Sequence, residues 1–256
     1  MPLSQRLLMT KHTGSPPFSP LDIAGLTSWY DYSDISTLWK DTARTSAVTA
    51  DGDIIKGVTD KSSGATHLSE ATNGPTYKVS IQNGRSVARF DGSNDRLKAT
   101  ISADLTRTIF FAGRQRNANG AGQRYWVNIN QVGGVSSINT TAQAQVASFS
   151  HLPAPVNFPG SIDVQTAAIY VIRDTSAASV DLYTNAGGSP VNGDPHDNWG
   201  TGVLMSFAVR DASSDLFGDI DAYEYLSYNS TLSVANINTL GSYLATGWGL
   251  SWTAVT

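Results

Sequence analysis

The sequence predicts an all-β protein: a two-sheet antiparallel sandwich with one short C-terminal α-helix and an extended N-terminal arm. Three observations lead there. Short apolar runs rich in β-branched and aromatic residues recur from Leu21 onward, with turn-forming residues between them. An Asn83-Gly84 pair, a strong hairpin turn signal, separates two of these runs. One stretch near the C-terminus carries a helical period.

The arm comes first. Gly14–Pro20 ends with three prolines in five positions, which rules out helix or central strand and favours an extended path. Residues 1–20 therefore read either as a loosely ordered tail or as an arm that orders against a neighbouring subunit. Residues 21–256 form the sandwich domain. Val79–Ile81 and Val87–Phe90 flank the Gln82–Arg85 turn, and Asp91–Asp95 makes a second tight turn. Thr108–Gly113 and Ala167–Ile172 are continuous apolar runs, as strands buried on both faces would be. Ser179–Thr184 alternates and reads as half-exposed, and Leu204–Val209 and Tyr223–Tyr228 complete the strands. Ser233 then offers an N-cap, Val234, Ile237, Leu240, Tyr243 and Leu244 fall at helical spacing, and Gly247 offers a stop. Within that helix Gly241 costs about 1 kcal/mol relative to alanine, which predicts a packing position.

Composition narrows function. Of 256 residues, 40% are hydrophobic, enough for a sizeable core, and only 15% are charged, against roughly 25% in an ordinary globular domain. A net charge of −4 leaves no electrostatic footprint for nucleic acid. No run approaches the roughly 18–20 apolar residues of a membrane span. The absence of cysteine excludes disulfides and thiolate zinc sites. Near the N-terminus the apolar run is Leu7–Met9, shorter than the about 7–15 residues of a signal-peptide core. The expectation is a chain made in a cytoplasm without a signal peptide.

Several segments keep a common order: Ile23–Asp34, Asp60–Gly64 with His67, Gly74–Tyr77, Asn83–Leu97, and a C-terminal set of Gly218–Ile220, Glu224–Tyr228, Leu232-Ser233 and Tyr243–Leu250. Together they resemble the concanavalin A-like lectin/glucanase superfamily, the laminin-G-like jelly rolls, in the variant common in phage and bacterial surface proteins. Asn83–Leu97, reading NGRSVARFDGSNDRL, is the most specific segment. The resemblance implies a jelly-roll sandwich in which Trp29, Trp248 and Trp252 are structural. Residues 115–165 match nothing in the family, which places this protein's own specificity there.

Sugar binding calls for an aromatic platform beside polar groups that take hydroxyls. Two stretches carry that chemistry: Tyr125, Trp126 and Asn128 in one, and Asp197, Asn198 and Trp199 in the other. A core tryptophan on a strand is the ordinary alternative for Trp126, whereas Trp199 sits in a polar loop with no apolar period. Asp219, Asp221 and Glu224 stand at the offsets of a glycosidase carboxylate set. In a regular strand, however, Glu224 would point away from the other two unless a bulge intervenes. Aspartate pairs at Asp31/Asp34, Asp51/Asp53, Asp91/Asp95 and Asp211/Asp215 could supply calcium, but aspartate is the commonest turn residue and none of the pairs resembles an EF-hand, so turn chemistry is the preferred reading. The four histidines have no metal-ligand spacing, so no other metal or cofactor is expected.

The resulting expectation is a module for binding rather than catalysis, and not an enzyme: a phage virion component such as a capsid decoration, tail or fibre protein. Its arm would contact other virion proteins, its ligand would be a host surface glycan, and it would form a homo-oligomer. The competing readings are a glycoside hydrolase using Asp219, Asp221 and Glu224, and a purely structural virion protein without a glycan site.

Overall fold

The computed structural model describes residues 17–101, 108–117, 124–131, 134–140, 147–150, 156–157, 165–176, 179–185, 191–193, 203–209 and 216–256. Among them the strands, in chain order, are β1 (Leu26–Asp31), β2 (Leu38–Trp39), β3 (Gly57–Val58), β4 (Leu68–Ser69), β5 (Thr76–Gln82) and β6 (Arg85–Arg89). There follow β7 (Leu97–Ile101), β8 (Thr108–Gln115), β9 (Arg124–Gln131), β10 (Gly134–Thr140), β11 (Ala147–Ser150) and β12 (Val156–Asn157). The last are β13 (Ala168–Ser176), β14 (Ser179–Thr184), β15 (Val191–Gly193), β16 (Val203–Phe207) and β17 (Ile220–Tyr228), before the helix α1 (Val234–Trp248).

These strands build two antiparallel sheets. Sheet A runs β15-β14-β13-β8-β17-β6-β5, with β1 also pairing β17, and sheet B runs β12-β11-β10-β9-β16-β7-β4-β3-β2. Side chains alternate across each strand. On β8, Ile109 and Phe111 enter the core between the sheets, while Phe110 and Ala112 face the other way into a second core beneath α1. Sheet A is thus covered on both faces, which explains the continuous apolar runs of β8 and β13. The same cover corrects the expectation for β14. Tyr183 lies in the core under α1 and Val180 and Leu182 in the core between the sheets, so the strand is buried rather than half-exposed.

Local signals place the turns. Asn83 and Gly84 adopt φ of 49° and 73°, the left-handed pair that a two-residue hairpin between β5 and β6 requires. The Ser233 hydroxyl accepts the Asn236 N–H at 3.2 Å and caps α1. The helix runs slightly beyond the expected stop: Gly247 is helical, and Gly249, at φ 63°, is the left-handed cap. Gly241 is the packing position its cost predicted, because an added Cβ would lie 2.2 Å from the Trp252 ring.

The body also begins earlier than residue 21. Phe18 packs edge-on against Tyr243, the Ser19 hydroxyl accepts the Leu21 N–H, and the Tyr228 hydroxyl donates to the Pro20 carbonyl at 3.1 Å. Residues 1–16 of the expected arm lie outside the described residues. No helix among the described residues is long and apolar enough to cross a membrane.

Candidate functional site

Strand β17 carries the carboxylates singled out by sequence, and its irregularity arranges them. Its register with β8 skips between Ala222 and Glu224, so Tyr223 is an extra residue. This bulge turns Glu224 onto the helix side of sheet A, the face that Asp221 shares. Beyond the bulge the two carboxylates have different fates.

Asp221 sits directly opposite Arg89 of β6 on one side and Arg114 of β8 on the other. It is fully buried. Arg89 donates from Nε at 2.7 Å and from Nη2 at 3.0 Å. Arg114 donates from Nε at 3.2 Å and from Nη2 at 3.1 Å. Asp221 raises the affinity of the Arg89 guanidinium for its proton through these hydrogen bonds. Arg116, two residues along the same edge, pairs with Asp219 and reaches the Phe90 carbonyl at 3.2 Å. Burial pushes the Asp219 carboxyl up, against the pull of Arg116. The three arginine side chains remain 26%, 33% and 26% exposed. They form a guanidinium row at the end of sheet A.

Glu224 is fully buried where β1, β17 and α1 meet. It accepts three ring donors: Trp29 Nε1 at 2.8 Å, Trp248 Nε1 at 2.9 Å and the Tyr243 hydroxyl at 3.0 Å. Burial pushes its carboxyl up to about 7, helped by the charge of Asp31 and opposed by the two indole hydrogen bonds and Arg85. Trp248 in turn stacks on Tyr223 at 4.9 Å and carries the Arg85 guanidinium 4.2 Å above its ring. Asp221 and Glu224 thus share a face, yet both are closed to a substrate by their own partners.

The expected sugar-contact residues are placed differently. Trp126 is fully buried in the core, packed on Phe111 and Tyr170, with its Nε1 donating to Gln115 Oε1 at 3.3 Å. A bulge opposite Ile138 and Asn139 makes Trp126 the extra residue of β9 and turns it inward beside Val127. Tyr125 is 5% exposed and Asn128 0%, so neither offers a surface to a sugar. This corrects the expectation for all three. Asp197, Asn198 and Trp199 lie outside the described residues. The aspartate pairs serve turns and ion pairs: Asp53 accepts from the Thr49 and Ala50 N–H groups, and Asp91 from those of Ser93, Asn94 and Asp95. Asp31 binds Ser33 and Arg85, Asp34 binds Ser36 and Lys61, and Asp51 binds Lys78, while Asp211 and Asp215 lie outside the described residues. Among the described residues no three metal-ligating side chains cluster.

The sequence reading missed Arg89, Arg114 and Arg116. A signal was present in Arg114-x-Arg116 at the end of an apolar strand run, a spacing that puts both on one face.

No family model and no curated protein sequence matches the chain. Solved structures do share its fold. Trypanosoma rangeli sialidase in complex with 2,3-difluoro-KDN superposes with a TM-score of 0.60 at 12% identity, over 92% of this chain and 36% of the sialidase. The binding domain of Paraclostridial Mosquitocidal Protein 1 gives 0.58 at 13%, over 86% of this chain and 52% of that one. An HCR/D F1240A mutant gives 0.57 at 9%, over 86% and 51%. The chain therefore spans between a third and just over half the length of these proteins. The sialidases overturn the expectation that this chain is not an enzyme: the same fold occurs within the chains of enzymes, so a sandwich of this kind is no ground for excluding catalysis.

Proposed function

We propose that this chain is a carbohydrate-binding module of the concanavalin A-like lectin/glucanase type, carried on a phage particle. The observation that carries the binding reading is the guanidinium row. Arg89 and Arg114 are locked onto a rigid sheet by Asp221 and still reach solvent. Donors held in place before the ligand arrives lose little conformational freedom on binding, which favours recognition of a polar ligand such as a sugar. The occurrence of this fold in a sialidase and in the binding domain of Paraclostridial Mosquitocidal Protein 1 supports the reading without specifying the ligand. Binding is a step that catalytic and purely adhesive modules share, so the proposal concerns that step.

The particle assignment is supported by the resemblance of Asn83–Leu97 to phage and bacterial surface modules, and by residues 1–16, ahead of the docked Phe18, whose sequence suits an arm on other virion proteins. A glycan array probed with the full chain, followed by isothermal titration of the sugars retained, tests the binding reading. Saturable binding to a defined set of sugars is expected. An array that stays blank, with the chain folded by circular dichroism, contradicts it.

A further inference from the structure

The guanidinium row has more donors than its own carboxylates use. An arginine side chain carries five N–H donors in a planar fork. Asp221 takes the Nε and Nη2 edges of both Arg89 and Arg114, and both Nη2 atoms lie within 3.1 Å of the same oxygen, Oδ2. The two forks therefore converge on one buried point. Their Nη1 groups lie on the other edge of each fork, and among the described residues no acceptor is hydrogen-bonded to either of them. Arg116 adds a third guanidinium whose Nε is buried and, among the described residues, has no hydrogen-bond acceptor, the Asp221 carboxylate lying 3.9 Å away.

Charge points the same way. Among the ion pairs of the described residues, Arg89 and Arg114 share Asp221, two guanidiniums to one carboxylate, while Arg116 pairs with Asp219. More distant carboxylates also act on the row: Asp219 and Asp51, the latter paired with Lys78, on Arg89, and Asp95 with Arg116. In direct contacts the surplus, two guanidiniums against one carboxylate, belongs to Arg89 and Arg114. A hydroxyl gains little from such a surplus, whereas a planar or tetrahedral oxyanion matches paired guanidinium N–H groups in both charge and shape. We infer that the row receives an acidic group of a glycan, a carboxylate or a sulfate, bridging Arg89 and Arg114. This deepens the proposed function and rests on it. The buried Asp221 then acts as a positioning residue that aims both forks outward.

The test uses the full chain and three probes: an oligogalacturonate, a sulfated oligosaccharide, and a neutral oligosaccharide of matching length. Arg89→Lys and Arg114→Lys keep a cation for Asp221 while removing the outward Nη1 edge, and thermal unfolding confirms that each variant folds. Each is expected to bind the acidic probe about tenfold more weakly and so to lose most of its preference for the acidic over the neutral probe. Affinity for the acidic probe is expected to fall as sodium chloride rises. A preference for the uronate or for the sulfated chain supports the inference either way and names the anion. Binding of neutral sugars alone, or of acidic sugars undiminished in both variants, overturns the inference and leaves the carbohydrate-binding reading standing. Failure of every probe and of the array overturns both.

Discussion

Asp31 and Glu224 lie directly opposite one another on β1 and β17, two carboxylates in one antiparallel pair. Like charges so placed repel. Their partners separate their roles. Asp31 has Arg85 at 3.1 Å and Lys61 at 3.4 Å, whereas Glu224 has only uncharged ring donors.

The sign of the pH dependence follows. Burial and the neighbouring Asp31 raise the Glu224 carboxyl from its ordinary 4.5 to about 7 in the folded protein. A raised folded value stabilises the native state fully below the unfolded pKa, and that contribution is lost as pH rises through the folded one. Asp34, beside Lys61, and Glu70, beside Arg96, are lowered, so their contributions are lost only as pH falls below the ordinary carboxylate range. Thermal melts should therefore show greatest stability near pH 5 and a decline towards pH 8. A profile rising from pH 5 to pH 8 would contradict this.

Glu224→Gln should flatten that decline, leaving the share of Asp95, whose carboxyl burial and the neighbouring Asp91 also raise to about 7, and should lower stability at every pH. A glutamine has one acceptor oxygen and one NH₂ where three donors now point inward, so an indole or hydroxyl hydrogen would meet an N–H. Leaving one such buried donor unsatisfied costs about 1–3 kcal/mol. Urea unfolding of the two proteins at pH 5 and pH 8 measures it.

Gly241→Ala removes a residue of low helix propensity, worth about 1 kcal/mol in favour of the variant. The new methyl would nevertheless collide with Trp252, whose Nε1 donates to Asn238 at 3.1 Å and which packs against the core under α1. Overpacking of this kind typically costs about 1–3 kcal/mol, so net destabilisation is expected, together with a red shift of tryptophan emission as the C-terminal segment lifts. An unshifted, more stable variant would count against the packing described.

Truncation separates arm from body. Relative to the shorter deletion of residues 1–16, removing residues 1–22 also deletes the Phe18–Tyr243 contact and the Pro20–Tyr228 hydrogen bond and should lower the melting temperature. On the particle reading, the shorter deletion should reduce incorporation of the chain, which quantitative labelling of purified particles would measure.

Much of the fold was legible because its signals are local. Asn83-Gly84 announces its own turn, Ser233 its own cap, and the runs Thr108–Gly113 and Ala167–Ile172 their burial on two faces. The site was not, because it is made by register. Arg89 and Arg114 meet only because β17 lies between β6 and β8 with Asp221 opposite both. Two bulges also lie beyond sequence period: one turns Trp126 inward, and the other brings Glu224 to the face of Asp221. Gly249 rather than Gly247 ends the helix because Trp248 is drawn in by Tyr223 and Glu224, a tertiary pull that local propensity does not contain.

Whether the guanidinium row is a glycan site can be decided by a crystal structure of the full chain soaked with the tightest acidic oligosaccharide from the array. An oxyanion of the sugar is expected within hydrogen-bond reach of Arg89 and Arg114, on the open end of sheet A. A sugar seated on sheet B, with both guanidiniums untouched, would refute the assignment.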